Sequence, residues 1–387
     1  MPMIRMSVLY WSYFAIFGVL FPYAGRYFHA YGFNFEQIGW IMACVTGANL
    51  FAPFIIARLS DITGQRVILA RISIVCLLFA LFLLKPTMGI GYVMMMALLI
   101  GMALSMALPQ FEAIAMQVLG EDKHKYGLIR MWGTLGFLST VWITGAVLAQ
   151  FGVDWFRYGL MALVAFLLVI TFWIPKLAVV EDTVVHAKTS GLERLKIPVI
   201  VLVFVVMLLN QAALAPYNIF ADLYWQQWGF SSGTIGTLLA LAAIAEAALM
   251  AVIPILLKRG GYYPLVVISL ILAISRWLIM ALVPDNMALL VIAQVIHAFS
   301  FGAMHGTAIY LVAHLFAKRH QGMGQSLYVS IVAGGGLILG NLVSGYLWDD
   351  GSGAKGVFLL AATSCTLSLI LVVLFLKPQQ LKSHFLS

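Results

Sequence analysis

Two groups of charged or titratable side chains sit deep in otherwise apolar stretches of this sequence: Glu112 with Arg130, and Glu246 with Arg276 and His297. A charge surrounded by hydrocarbon costs about 2.5 kcal/mol or more, so each needs a reason to be there. Glu112 and Arg130 flank the short polar segment EDKHK, and their midpoint, Glu121, lies within it. If the chain turns back there as two antiparallel helices, both residues come level, each about two helical turns from the tip. Opposite charges at one depth either form a structural ion pair or hold a polar ligand. Glu246, Arg276 and His297 lie in three successive apolar runs. At 1.5 Å rise per residue they fall ~15–21 Å from the ends of those runs, away from the interfaces of a ~30 Å hydrocarbon layer. A carboxylate placed there can exchange a proton while a nearby cation tunes its affinity. His305 lies ~12 Å beyond His297 on the same run, as a relay member or a satisfied structural histidine. Trp132, two residues after Arg130, and Trp277, next to Arg276, could stack on a ring or a sugar face.

Only membrane-spanning helices could position such residues. Of 387 residues 63% are hydrophobic and 9% charged, and the mean hydropathy is +1.02. A soluble domain carries about 25% charged residues, so that class is excluded. A window of roughly 19 residues predicts twelve spans. They are 6–25, 37–57, 67–84, 90–119, 127–150 and 155–175, then 197–220, 232–257, 264–283, 287–316, 322–348 and 356–376. A polar linker separates the sixes, which predicts an N-terminal six-helix bundle (1–175), a cytoplasmic central loop (176–196) and a C-terminal six-helix bundle (197–387). Seventeen of the 22 Lys and Arg residues fall on the side of the termini and four on the other, with Arg276 inside a span. The positive-inside rule then puts both termini in the cytoplasm. The net charge of +8 comes without a basic run, so no nucleic-acid partner is expected. Three cysteines without CxxC spacing predict neither a disulfide framework nor a metal site. The absence of HExxH argues against an enzyme and that of GxxxxGK[ST] against ATP drive.

The halves repeat. At an offset of 197, Tyr27, Gly32, Phe33, Ile38, Gly39 and Ala43 meet Tyr224, Gly229, Phe230, Ile235, Gly236 and Ala240. Duplicated halves with a site near the midplane build many secondary transporters. The segment RLSDITGQR resembles a degenerate form of the GxxxDRxGRR element of the major facilitator superfamily: Asp61, Gly64 and Arg66 match, and Ile62 replaces the first arginine. YGLIRMWGTLGF resembles the fifth-span signature of the phenylpropionate permease type, which is related to lactose permease. YWQQWGF, Ala245-Glu246, Arg276-Trp277 and IHAFSFGAMH resemble that type too, in the same order.

The resemblance implies an all-α membrane protein, with twelve transmembrane helices in two pseudo-repeated six-helix bundles of the major facilitator fold. It implies proton-coupled uptake of a small organic solute across a bacterial inner membrane. The solute would be a phenylpropionate-like aromatic acid, or a sugar or nucleoside; the alternative is proton-driven efflux of drugs or metabolites. Glu112 and Arg130 match, in spacing, the pair that binds sugar in lactose permease, and Asp61, Gly64 and Arg66 would belong to a gating loop. Glu246, Arg276, His297 and His305 would serve proton coupling. Lactose permease carries a carboxylate three residues after the histidine; here Ser300 stands there, so coupling would fall to Glu246 with His297. By the same spans Asp222 falls at an external end, which leaves Glu246 the only acidic residue inside the second-half spans. Tyr10, Tyr13, Phe14, Phe17 and Phe21 follow helical spacing, as a packing or lipid-facing stripe or, by the resemblance, as a cavity wall. No cofactor or metal is expected, the proton gradient being the energy source. The expected partners are the solute, protons and the lipid bilayer, and a monomer is expected.

Overall fold

Each predicted span is a helix in the computed structural model, which describes residues 2–174, 191–316 and 321–376. In chain order they are α1 (Met3–Ala30), α2 (Phe35–Thr63), α3 (Arg66–Leu83), α4 (Ile90–Asp122), α5 (Tyr126–Phe151), α6 (Trp155–Thr171), α7 (Pro198–Gln227), α8 (Ser232–Gly260), α9 (Tyr262–Leu282), α10 (Met287–Leu315), α11 (Met323–Gly351) and α12 (Ala354–Phe375). All but the shorter α6 are long and apolar enough to cross a membrane, and no strand occurs among the described residues. Helices satisfy every backbone amide within one segment, which hydrocarbon demands. Phe79, Phe82, Phe172 and Phe375 point outward; such a surface is costly in water and at home in lipid.

Three expected boundaries move, among them the end of α7, at Gln227 and not at 220. α1 runs on to Ala30 and α2 to Thr63, past the expected ends at 25 and 57. A hydropathy window stops at the first charges, whereas the backbone bonds carry the helix past Arg26 and Asp61. Asp61 therefore lies in the last turn of α2 and not in a loop. Gly64 ends that helix with φ 64°, a left-handed conformation that glycine adopts without a Cβ clash. The expected central loop lies outside the described residues up to 190; Gly191–Lys196 is a 3₁₀ turn.

The internal repeat holds down to single hydrogen bonds. Phe33 N donates to the Phe28 carbonyl at 3.2 Å, and Phe230 N to that of Trp225 at 3.1 Å. Asn34 caps α2 through the amide of Gln37 at 2.9 Å, and Ser231 caps α8 through that of Thr234 at 3.2 Å. Gly32 and Gly229 take φ of 85° and 81°. Every pair is offset by 197, so one turn was built twice.

The helices form two compact units, Met1–Val184 with Asn218–Ala240, and Val185–Tyr217 with Leu241–Ser387. The divisions fall inside α7 and α8. In the first unit glycines bring backbones together: a Cβ on Gly136 of α5 would collide with the Trp11 carbonyl of α1, and one on Gly101 of α4 with that of Val45 on α2. Thr140 of α5 donates to the Ala15 carbonyl at 2.8 Å. In the second unit Gly340 of α11 meets the Ala212 carbonyl of α7 in the same manner, and Trp277 of α9 stacks on Phe358 of α12 at 6.0 Å. Small residues at helix crossings are the membrane solution where water gives no hydrophobic drive.

Gly136→Ala tests this packing. Alanine favours a helix by about 1 kcal/mol, but the new methyl meets a backbone oxygen that cannot rotate away, a cost of about 1–3 kcal/mol. The melting temperature of the detergent-purified protein should fall by several degrees. Gly159→Ala on α6, with open space around its Cβ, should leave it level or raise it.

Candidate functional site

In the first unit the turn Gly120–Lys125 folds α4 back into α5, which brings Glu112 and Arg130 into each other's field. Among the described residues no direct ion pair joins them. Each is held by aromatic neighbours instead. The Tyr126 hydroxyl acts on the Glu112 carboxylate, and it is 3.4 Å from the Tyr10 hydroxyl. The Arg130 guanidinium carbon sits 3.9 Å over the Phe14 ring, a contact worth about 0.5–2 kcal/mol. Gly133 makes that seat possible, since a Cβ there would lie 2.6 Å from Phe14 Cδ2 and 2.9 Å from Arg130 Nη1. Trp132 is exposed beside Arg130. Of the α1 stripe, Tyr10 and Tyr13 are buried, and Tyr13 donates to the Leu104 carbonyl of α4 at 2.9 Å.

In the second unit Glu246 of α8 faces His297 of α10, with Oε2 3.8 Å from Nε2. A π-helical segment, Ala298–Ala303, follows His297. Residues five apart diverge by roughly 140° in a regular α-helix. The wider π turn instead sets His297 and Gly302 against the same carboxylate side chain, a Cβ on Gly302 lying 3.1 Å from Glu246 Cγ. Such segments recur at functional sites. The column continues along α10: His297 stacks on Phe301 at 5.8 Å, Phe301 on His305 at 5.6 Å, and His305 Nδ1 meets the Tyr328 hydroxyl of α11 at 2.8 Å.

Arg276 of α9 is fully enclosed. Its guanidinium carbon lies 4.1 Å from the Tyr217 ring and 4.3 Å from the Trp277 ring, and Nη1 donates to Ser300 Oγ at 3.4 Å. The position where a carboxylate would follow the histidine therefore does face the arginine. Trp277 is also enclosed, between Arg276 and Phe358, which corrects the expectation of an open stacking surface for a solute.

The sequence profile of the MFS_1 like family matches residues 3–360. The chain belongs to that family. It is 25% identical over 388 residues to the probable 3-phenylpropionic acid transporter of Escherichia coli (strain K12), covering 97% of each chain. It is 27% identical over 381 residues to the maltose permease of Geobacillus stearothermophilus, covering 96% of this chain and 94% of that one. Crystal structures of the nucleoside transporter NupG superpose with TM-scores of 0.88 and 0.86 at 20% identity, over 97% of this chain and 100% and 99% of those. The fold is thus the major facilitator fold, and the protein is a multi-pass membrane transporter of small solutes, not an enzyme.

Several residues of this MFS_1-like chain escape a reading of the sequence. Asp222 is not at an exposed span end: it is 1% exposed and paired with Arg26 of α1 at 3.2 Å. A hydropathy window trims helix ends, so it placed both charges outside. Asn210, which donates to the Ser300 carbonyl at 3.0 Å, and Tyr217, which donates to Gln294 at 2.8 Å, are uncharged and gave no signal in an apolar run.

Gly133→Ala puts a methyl group against both Phe14 and Arg130. Affinity for any solute the wild type binds should fall about tenfold, near 1.4 kcal/mol, by equilibrium binding to purified protein. A matching melting temperature would separate this loss from general unfolding.

Proposed function

We propose that the protein imports a small organic solute together with protons by alternating access across a bacterial inner membrane. In this reading residues 1–175 and 197–387 are the two six-helix halves, and both termini are cytoplasmic, on the side rich in Lys and Arg. The observation that carries it is the open Glu112–Arg130 pair. A carboxylate and a guanidinium in one field, each seated on an aromatic neighbour and not on the other, leave donors and acceptors for a polar guest. A structural ion pair would have closed. Relatives named for phenylpropionate, maltose and nucleosides suit a solute that carries a ring and polar groups, so an aromatic acid, a sugar or a nucleoside is the class to test, with Trp132 at the rim. Glu246 with His297 is the proton-binding pair, Arg276 the fixed charge beside it and His305 the next group along the column. The proton gradient supplies the energy, with no cofactor. Asp61, Gly64 and Arg66 form the turn that accompanies the change of state.

Proteoliposomes given a panel of these solutes, with internal pH followed, test the reading. Solute and protons entering together support it, and protons leaving as solute enters would make the protein an antiporter. Arg130→Lys should weaken binding by at least about tenfold, because a point charge cannot reproduce the planar fork. Normal affinity in a folded Arg130→Ala protein would remove the solute from this pair.

Glu246→Gln should abolish accumulation driven by a pH gradient and keep exchange of labelled for unlabelled solute, since the amide fixes a neutral side chain of nearly the same shape. His297→Gln should weaken coupling without removing it. Accumulation that survives Glu246→Gln places the proton elsewhere.

A further inference from the structure

Glu246 is not the only carboxylate within α7–α12, and Asp222, 1% exposed, is the more deeply buried of the two. Asp222 Oδ2 lies 3.2 Å from Arg26 Nε and accepts from Gln226 Nε2 at 2.8 Å. Arg26 Nη2 donates to Ser232 Oγ at 2.8 Å. The outer atoms, Asp222 Oδ1 and Arg26 Nη1, have no hydrogen-bond partner among the described residues. The pair is therefore a single-point contact and not the two-point fork that would lock it. Beside it a Cβ on Gly25 would collide with the Ile219 carbonyl, so the backbones of α1 and α7 touch there.

These residues all lie in the first unit, to which Asn218–Ala240 belongs. α7 enters that unit immediately after Tyr217, next to Pro216 within the helix. A proline there removes one backbone bond and leaves the helix easier to bend. Around Asp222, α1 presents Arg26 and Tyr23 as the charged and titratable groups. α8 presents the Ser232 hydroxyl to Arg26, α2 presents Phe35 to Phe220, and α5 presents the Val141 carbonyl to Tyr23. Arg26 is the one cation among them.

A buried carboxylate keeps its charge only while that cation stays. Alternating access changes the contacts between the two repeats of a transporter, and the contact of span 1 with span 7 is of that kind. When Arg26 withdraws, Asp222 either drags water into the helix packing or takes a proton, and neutralisation is the cheaper outcome. We propose that Asp222 is a second proton-binding carboxylate of the transport cycle, holding Arg26 in one state and one proton from the adjoining aqueous phase in the other. The proton leaves when the pair re-forms. The proposal rests on the proton-coupled reading above.

The full chain in proteoliposomes, with a solute that the wild type accumulates, decides it. Arg26→Gln with Asp222→Asn replaces the ion pair by neutral groups of similar volume, a change that buried pairs often tolerate. Uptake driven by a pH gradient should fall about tenfold, while exchange stays within about twofold. Asp222→Glu keeps a carboxylate and should hold gradient-driven uptake within about threefold of wild type. Wild-type uptake in the neutral pair overturns the proposal, as does an Asp222→Glu protein as inactive as the neutral pair. If the neutral pair does not fold, Arg26→Gln alone serves: without the cation Asp222 keeps its proton in both states, so driven uptake falls equally, and unchanged uptake overturns the idea. Wild-type uptake without proton movement removes both readings. Proton movement that Glu246→Gln abolishes and the neutral pair leaves intact removes only this one.

Discussion

Inside hydrocarbon no water stands ready to accept an unmet polar group, and every other feature of this protein answers to that constraint. Backbone amides answer it by forming helices. Cations answer it by lying on aromatic faces: Arg71 over Phe172 at 4.4 Å, Arg130 over Phe14, and Arg276 between Tyr217 and Trp277. A ring face stabilises a guanidinium without cancelling its charge, whereas a carboxylate partner would neutralise it. Arg130 and Arg276 are thereby kept inside the membrane and still act electrically on Glu112 and His297.

The same constraint explains the crossings. With lipid tails as apolar as leucine, helices gain little by hiding side chains from solvent and gain more by direct backbone contact. Gly18, Gly101 and Gly136 in the first unit and Gly340 in the second supply such contacts. The polar column of α10 follows suit. Its histidines are spaced by Phe301, so each imidazole has a ring on at least one face and a defined polar partner at its edge.

Much of this was legible in the sequence because a charge in an apolar run is rare and therefore informative. Glu112, Arg130, Glu246, Arg276 and His297 announced themselves in that way, and the offset of 197 returned as matched hydrogen bonds at Phe33 and Phe230. What stayed hidden did so for physical reasons. Arg26 and Asp222 each lie just beyond a span end drawn by hydropathy, which averages over a window and cannot see that two helix ends meet. Trp277 gave no sign of which neighbour would cover its faces, because covering depends on α12, about eighty residues away in sequence. Asn210 and Tyr217 are polar too weakly to disturb an apolar average. The regrouping of Asn218–Ala240 with the first unit depends on long-range contacts that no local pattern encodes.

The widened turn of α10 bears on how this helix can vary. A π segment is an α-helix that has taken in one extra residue, so the two ends of α10 are out of phase by one position. Upstream of Ala298 the helix keeps one register and downstream of Ala303 another. Loss of any single residue between them would restore a regular helix and swing His305 about 100° away from Tyr328 relative to His297. Length in this stretch, more than composition, is therefore what selection has to hold constant: a substitution there alters one side chain, whereas an indel re-aims half a helix.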